Sequence, residues 1–436
     1  MLKIVGVLTA LILTDFFIFP FIPSFLPSVN VKMILAGLSL PYVAFLLAKE
    51  RNAIINHDLV KIALYTLPIT FFSWVSNIYN DTYDYSFNYY FVSVFVWMGA
   101  AFLVVSFINA VHQKLSVQLV ANYLIGVCLL QCALSQCMEY NPALMKFVNG
   151  LMAEGGEAFM GDAGNRIHGL GCALDVAGGR FAAVLLMATF FLTRSKTKWE
   201  LLFYIVSFFT IAVLGNMIGR TTTIGVLLSL LYLIYDMVRG GVKNKSYPKY
   251  LLGTCLMVIP LMSALYNVND VFRENIRFGF EGFFSLAEQG KWQTTSTDIL
   301  ESSMVVFPDN LKTWIIGDGY GANPSNDPYY TGEIYKGFYM STDIGYLRFI
   351  FFFGVLGMAS MVFLFFQFWR ICRQRFPMQK DLMTMILLLN LMIWFKVTSD
   401  FLPIFAILLC VSKEKNDEYM LDIPNGNINC VEKEIE

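Results

Sequence analysis

The sequence predicts an all-α polytopic integral membrane protein with about twelve membrane-spanning helices and one large extracytoplasmic loop. Three observations carry this prediction: 57% of the 436 residues are hydrophobic, only 14% are charged, and the apolar residues fall in long uninterrupted runs. A soluble domain carries roughly 25% charged residues, and a water-soluble fold of this size has too little interior to hide so much apolar surface.

A helix needs about 20 apolar residues to cross about 30 Å of hydrocarbon. Runs of this kind lie at roughly 4–25, 31–48, 62–78, 88–110, 117–136, 170–193, 200–217, 220–238, 249–266, 343–368, 382–397 and 399–412. The last two are short and read as two crossings or as one broken hairpin. The first is expected to be retained rather than cleaved, because prolines 20 and 23 follow it where a signal peptide has small residues. The chain thus divides into nine spans over 1–266, a loop over 267–342, three further spans over 343–412 and a polar cytoplasmic tail over 413–436.

Orientation follows from the distribution of basic residues. With the N-terminus in the cytoplasm, the inside loops hold Lys49, Arg51 and Lys61; Lys114; Arg194, Lys196 and Lys198; Arg239, Lys243, Lys245 and Lys249; and Arg370, Arg373, Arg375 and Lys380. The outside loops hold Asp81 and Asp84, then Glu139 to Asp162 with Lys146 as the one base. Both termini are therefore expected in the cytoplasm, and the loop 267–342 outside. Within that loop, residues 272–290 are expected to be helical and 317–337 irregular. Its many aromatics, among them Phe278, Phe283, Trp292, Trp314 and Tyr339, suit packing on the membrane surface or platforms for the C–H faces of sugar rings.

The formal net charge of −1 implies no bulk attraction to nucleic acid. The eight cysteines show no metal-ligand spacing and read as free thiols, and only three histidines occur. No phosphate-binding glycine loop, dinucleotide fingerprint or H-E-x-x-H motif is present, nor an Asp-x-Asp pair to hold a divalent metal on a sugar phosphate. No cofactor and no metal site is expected.

What remains is a set of ionisable residues at membrane depth, where such residues are costly and usually functional. At 1.5 Å per helical residue, Arg180 lies about 21 Å from the inner edge, and Lys396 is placed similarly. Arg220, Asp343 and Arg348 open spans at the outer boundary, while Arg166, His168 and Asp175 approach it from outside. The alternative for each is a structural ion pair, Arg180 with Asp175 and Lys396 with Asp400. Together they describe a cationic pocket at headgroup depth, and arginine forks suit phosphate oxygens.

Three segments then resemble the O-antigen polymerase and ligase superfamily of bacterial polysaccharide assembly. They are Arg166-Ile167-His168-Gly169-Leu170-Gly171, Gly219-Arg220-Thr221-Thr222, and Trp314 to Gly321 followed by Ser341 to Arg348 with Gly354 and Gly357. The resemblance covers about residues 160–400. It implies a helical membrane glycosyltransferase of the GT-C-like kind, in the bacterial cytoplasmic membrane, acting on undecaprenyl-diphosphate-linked glycans to build O-antigen, capsule or exopolysaccharide. Its implied partners are a flippase and a chain-length regulator. The ligases carry a His at the end of the large outer loop; this loop has none, which favours a polymerase. The Arg-x10-Gly pattern of some polymerases is also unmatched, since Ala177 stands eleven residues after Arg166.

On the reading that the resemblance implies, Arg166, Arg180 and Arg220 stabilise charge on the leaving diphosphate, with Arg166 and Arg220 as catalytic residues. We take Asp343 as general base or acceptor-positioning carboxylate, and Arg180, Arg348, His168, Lys396, Trp314 and Tyr346 are expected to bind substrate. Two other readings stay open. A ligase would transfer the glycan to a different acceptor. A lipid-linked oligosaccharide transporter would also have about twelve spans, although no internal repeat of the transporter kind is evident and a loop near 75 residues has no obvious use in a carrier.

Overall fold

The computed structural model describes residues 2–49, 57–153, 166–241, 247–335, 337–398 and 401–412. The tail 413–436, Asp400, Asp162, Arg51, Lys243 and Lys245 lie outside the described residues. Every regular element described is helical. The only β pairings among these residues are two single bridges, Pro23 with Met152 and Ala322 with Phe338.

The first half contains α1 (Leu2–Ile18), α2 (Val31–Lys49), α3 (His57–Asn80), α4 (Tyr90–His112), α5 (Val117–Tyr140) and the short α6 (Pro142–Asn149). Next come α7 (Leu174–Leu192), α8 (Lys198–Ile218), α9 (Thr222–Val238) and α10 (Tyr247–Val268). The loop region contributes α11 (Asp270–Gly279), α12 (Glu281–Gln289), α13 (Thr295–Ile299) and α14 (Leu311–Ile315). The chain ends its described part with α15 (Gly345–Arg375), α16 (Lys380–Ile393) and α17 (Leu402–Leu409).

Eight of these helices, α2 to α5, α7, α8, α10 and α15, are long and apolar enough to cross a membrane. Four expected spans are shorter. The first stops at Ile18, where Pro20 lacks a backbone donor and pushes Phe19 out of helical geometry. The span expected over 220–238 becomes the 17-residue α9. The last two shrink to 14 residues in α16 and eight in α17, the broken hairpin of the two readings. Phe401 N donates to Asn390 Oδ1 at 3.1 Å, so α17 starts beside the last turn of α16. All eight α17 side chains are buried, which lets non-spanning backbone persist at membrane depth.

The most buried of the eight long apolar helices is α7, walled by α5, α8, α9 and α16. Helix ends sort into two faces. Asn80, Asp175, Arg220 and Lys396 all meet loop residues or one another on one face. Basic side chains from the opposite helix ends pair on the other: Arg194 with Asp236 at 3.2 Å, Arg239 with Asp381 at 3.4 Å and Arg375 with Asp58 at 3.8 Å.

The loop 269–344 is built as expected at its start, with α11 and α12 covering 270–289, and the described residues of 317–337 are irregular apart from one short turn at Pro324–Asn326. It is locked to the bundle through a break in α15. Gly354 has φ 72°, which frees carbonyls one turn earlier. Asp318 N donates to Phe351 O at 2.6 Å, and Gly319 N donates to Phe352 O at 3.1 Å. Ser76 Oγ also donates to Phe352 O, at 2.7 Å. Asp84 Oδ2 holds the same segment by accepting from Gly321 N at 2.8 Å and Ala322 N at 3.0 Å. The Trp314–Gly321 motif is thus a plug for a broken helix, and glycine is required where its backbone touches α15.

Candidate functional site

The site grows from the turn between α8 and α9. Thr222 Oγ1 donates to Gly219 O at 2.8 Å and fastens the turn. A side chain on Gly219 would sit 2.3 Å from Leu174 O, so glycine lets the turn lie flat against the start of α7. This projects Arg220 toward the loop. There Arg220 Nη1 donates to Glu281 Oε2 and Nη2 to Ser296 Oγ at 2.6 Å. Its guanidinium lies 4.6 Å from the ring centre of Phe278. Arg166 lies 4.9 Å from the same ring centre and makes no ion pair among the described residues. One phenylalanine therefore gathers two guanidinium groups.

Asp175 opens α7 next to this pair. It accepts hydrogen bonds from Thr221 Oγ1 and, at 2.8 Å, from Lys396 Nζ. Lys396 is not on a spanning helix; it stands in the turn after α16. Where the sequence suggested Arg180 as the partner of Asp175, the structure gives it Lys396; the other suggested pairing, Lys396 with Asp400, lies outside the described residues. Arg180 lies one and a half turns deeper in α7, 5.5 Å from the ring centre of Phe19. Thr398, two residues after Lys396, donates to Asp343 O at 3.5 Å, and the Asp175 charge is felt at both Arg166 and Asp343, so these groups adjoin in one row.

Asp343 closes the row, two residues ahead of α15. Its Oδ1 is 3.5 Å from Arg348 Nη1, an ion pair without hydrogen-bond geometry. Asp343 Oδ1 and Arg348 Nε are both buried and have no hydrogen-bond partner. Burial raises the Asp343 carboxyl to about 6, against the opposing pull of Arg348. The residue is not a helix cap: Ile344 holds that position, and no side chain caps the helix. Arg348 donates to Gly321 O at 3.1 Å and lies 3.6 Å from the ring centre of Phe338.

The backbone leading to both carboxylates is strained. Leu174, Met340 and Ser341 take φ of 56°, 54° and 54°, a region costing non-glycine residues roughly 1–3 kcal/mol each. Such strain clusters at functional sites.

The remaining expected residues do not join the row. Trp314 Nε1 donates to Pro308 O at 3.0 Å and its ring stacks on Phe307. The Tyr346 hydroxyl donates to Leu391 O at 2.9 Å, and its ring packs on Trp394 and Phe395. Both are packing residues. His168 is buried beside the row, its Nε2 3.1 Å from Asn149 Oδ1, and burial holds its imidazole below the usual value. Sequence reasoning missed Glu281 and Ser296, which lie in the loop and carry no depth signal, and it named Phe278 only as one of the loop aromatics. It also missed Asp15, buried in α1 and bonded to Gln131 Nε2 at 2.8 Å, although an ionisable residue in a span is itself a signal.

Helix α12 separates two cavities, one lined by Glu281, the partner of Arg220, and the other by Thr223, three residues after Arg220. A polar one of about 470 Å³ lies along Phe278, Glu281, Phe284 and Glu288. An apolar one of about 350 Å³ lies among α7 to α10 and is closed by Phe280 and Phe283, with Asn216 and Thr223 in its lining. Among the described residues, no group of three or more His, Cys, Asp or Glu is placed to hold a metal ion.

Comparison with protein-family models, curated proteins and solved structures finds no match to this chain.

Proposed function

We propose that the chain polymerises undecaprenyl-diphosphate-linked oligosaccharide repeat units on the outer side of the cytoplasmic membrane. The observation that carries this reading is the row of groups from Arg220 and Arg166 through Asp175 and Lys396 to Asp343 and Arg348, ending in a carboxylate oxygen with no hydrogen-bond donor.

The row offers the two functions that glycosyl transfer from a lipid diphosphate needs. At one end, Arg166 and Arg220 provide forks for phosphate oxygens at the edge of the bundle. The apolar cavity beside Arg220 suits a hydrocarbon chain attached to those phosphates. At the other end, Asp343 is poised as a base. An acceptor hydroxyl attacks the anomeric carbon, its proton passes to Asp343, the C1–O bond breaks, and undecaprenyl diphosphate leaves with its charge on the arginines. Donors placed in advance against developing charge contribute several kcal/mol in comparable sites. Arg220 is held by Glu281 and Ser296 in the unliganded protein, so phosphate must compete for its fork.

Polymerase, ligase and transporter separate in a deletion strain by the glycan on its lipid carrier. Single repeat units outside the membrane, with polymer restored by the intact gene, are the expected result. Full-length polymer retained on the carrier would indicate a ligase. Repeat units trapped inside would indicate a transporter.

A further inference from the structure

The face opposite the row of site residues carries cations of two kinds. Arg239 and Arg375 are matched there by carboxylates, Asp381 at 3.4 Å and Asp58 at 3.8 Å. Arg370, Arg373 and Lys380 are exposed and make no ion pair among the described residues. Arg370 and Arg373 stand three residues apart on α15, where like charges repel, and an anion between them relieves the repulsion. These cations border a fixed point between two helices. Trp369 Nε1 on α15 donates to Thr384 Oγ1 on α16 at 3.2 Å, and Thr384 Oγ1 donates to Lys380 O at 2.9 Å.

The surface on either side of this bond is polar toward the helix ends and apolar toward the helix middles. Arg373 lies one turn beyond Trp369 on the same face of α15, its guanidinium 5.1 Å from the ring centre of Trp369. Lys380 lies one turn beyond Thr384 on the same face of α16. In the other direction Phe366 packs on Trp369 with ring centres 6.0 Å apart, and Leu388 and Met392 continue the α16 stripe. All three are exposed. At 1.5 Å per residue the stripe from Lys380 to Met392 spans about 18 Å, against about 15 Å of hydrocarbon in one leaflet. Cationic heads and an apolar track of leaflet depth thus share one seam between α15 and α16.

We infer that this seam binds one molecule of a two-phosphate lipid, diphosphatidylglycerol, with its head on Arg370, Arg373 and Lys380 and its chains on Phe366, Leu388 and Met392. The charge sets the choice of lipid: a single phosphate leaves these three cations in excess, and two phosphates match them. Arginine forks suit phosphate oxygens, and basic pockets between membrane helices recognise such headgroups. The site lies away from the row and does not depend on the polymerase reading.

The test is native mass spectrometry of the full chain in detergent, titrated with diphosphatidylglycerol and, in parallel, with phosphatidylglycerol. Saturable binding of one diphosphatidylglycerol, at least tenfold tighter than phosphatidylglycerol, is expected. Arg373→Gln combined with Lys380→Gln should weaken it tenfold or more; both residues are exposed, so the variant is expected to fold. The charge-keeping Lys380→Arg should retain binding. Lys196→Gln with Lys198→Gln removes equal charge from exposed positions at the turn between α7 and α8 and should leave binding unchanged. No saturable binding, equal binding of the two lipids, or indifference to the Arg373 and Lys380 exchange overturns the site. An equal loss in the Lys196 and Lys198 variant also overturns it, since diffuse attraction to the whole face then suffices. The acidic tail 413–436 is the rival occupant, because it follows Val411, whose carbonyl accepts from Arg375 at 2.8 Å. Lipid binding seen only after removal of residues 413–436 would give the seam to the tail and overturn the lipid site.

Discussion

Lys396 and Asp175, 221 positions apart in sequence, meet at 2.8 Å and tie the turn after α16 to the first turn of α7. Thr221 completes the junction, with its Oγ1 3.2 Å from Lys396 Nζ. Three segments that are distant in sequence are thereby fixed at one point, and the flanking groups Arg166, Arg220, Asp343 and Arg348 inherit their spacing from it.

Breaking this pair should be worse than removing it. Lys396→Met leaves a carboxylate without its cation and should lower thermal stability by about 2 kcal/mol, the scale of a lost hydrogen bond to a charged group. Lys396→Met combined with Asp175→Asn should recover at least half of that loss. The thermal midpoint and yield of detergent-solubilised protein check both. Equal instability of single and double variants would remove the coupling.

Arg220 should be needed for polymer and not for folding. Arg220→Ala should abolish polymer while the protein still accumulates in the membrane. Arg220→Lys should restore only a fraction, because an ammonium cannot make a bidentate fork. Glu281→Gln gives a finer reading: it frees Arg220 without removing it, so substrate affinity should rise or hold while Arg220→Ala loses it. Wild-type polymer in Arg220→Ala removes this residue from the site.

The proposed orientation places the loop 269–344 outside. A reporter active only outside should be active when fused after residue 300, and silent when fused after residue 245 or at the last residue. A silent fusion at residue 300 would invert the arrangement, and with it the side on which the chemistry occurs.

What was legible in the sequence was governed by local rules. Long apolar runs give α2 to α5, α7, α8, α10 and α15, because length and hydropathy act within one segment. The residues at the site were legible by depth: Arg220, Asp343, Arg348 and Lys396 each sit at the end of an apolar run. Their partners were not. Lys396 reaches Asp175 because the helix stops at Ile393 and the following turn points the amine across to α7. Trp314 looked like a binding aromatic, yet its segment fills the break in α15, and no local pattern in 311–321 reveals a break forty residues later.

That break makes a stability prediction. Gly354 has φ 72°, and a side chain there would come within 2.1 Å of Ile315 O. Gly354→Ala should cost more than about 3 kcal/mol, since backbone strain and a clash add, and should sharply reduce accumulated protein. Gly37, in the middle of α2 with open space around it, is the control. Gly37→Ala should stabilise by roughly 0.5–1 kcal/mol through helix propensity. Normal levels of Gly354→Ala would mean that α15 runs unbroken.

Asp343 brings the structural and chemical arguments together. A carboxylate just ahead of a helix usually serves as a cap, as do hydroxyls such as those of Ser341 and Thr342 beside it. Here the helix begins at Gly345 behind Ile344, no side chain caps it, and Thr342 Oγ1 instead donates to Met304 O at 2.7 Å. A residue that caps nothing should lose little stability on change to Asn. A base behaves differently, because an amide cannot accept the hydroxyl proton. Asp343→Asn is therefore expected to leave protein level and lipid-substrate binding near normal while turnover falls by about a hundredfold or more. The pH dependence follows from the same group. Burial raises the Asp343 carboxyl to about 6, and only its ionised form can take a proton. Activity should accordingly rise as pH passes upward through about 6, level off above it, and be lost below as the carboxyl protonates. That acid limb should be absent from the residual activity of Asp343→Asn. A variant that polymerises at the wild-type rate with an unchanged pH profile would move the base elsewhere, to Asp298, Glu301 or His168.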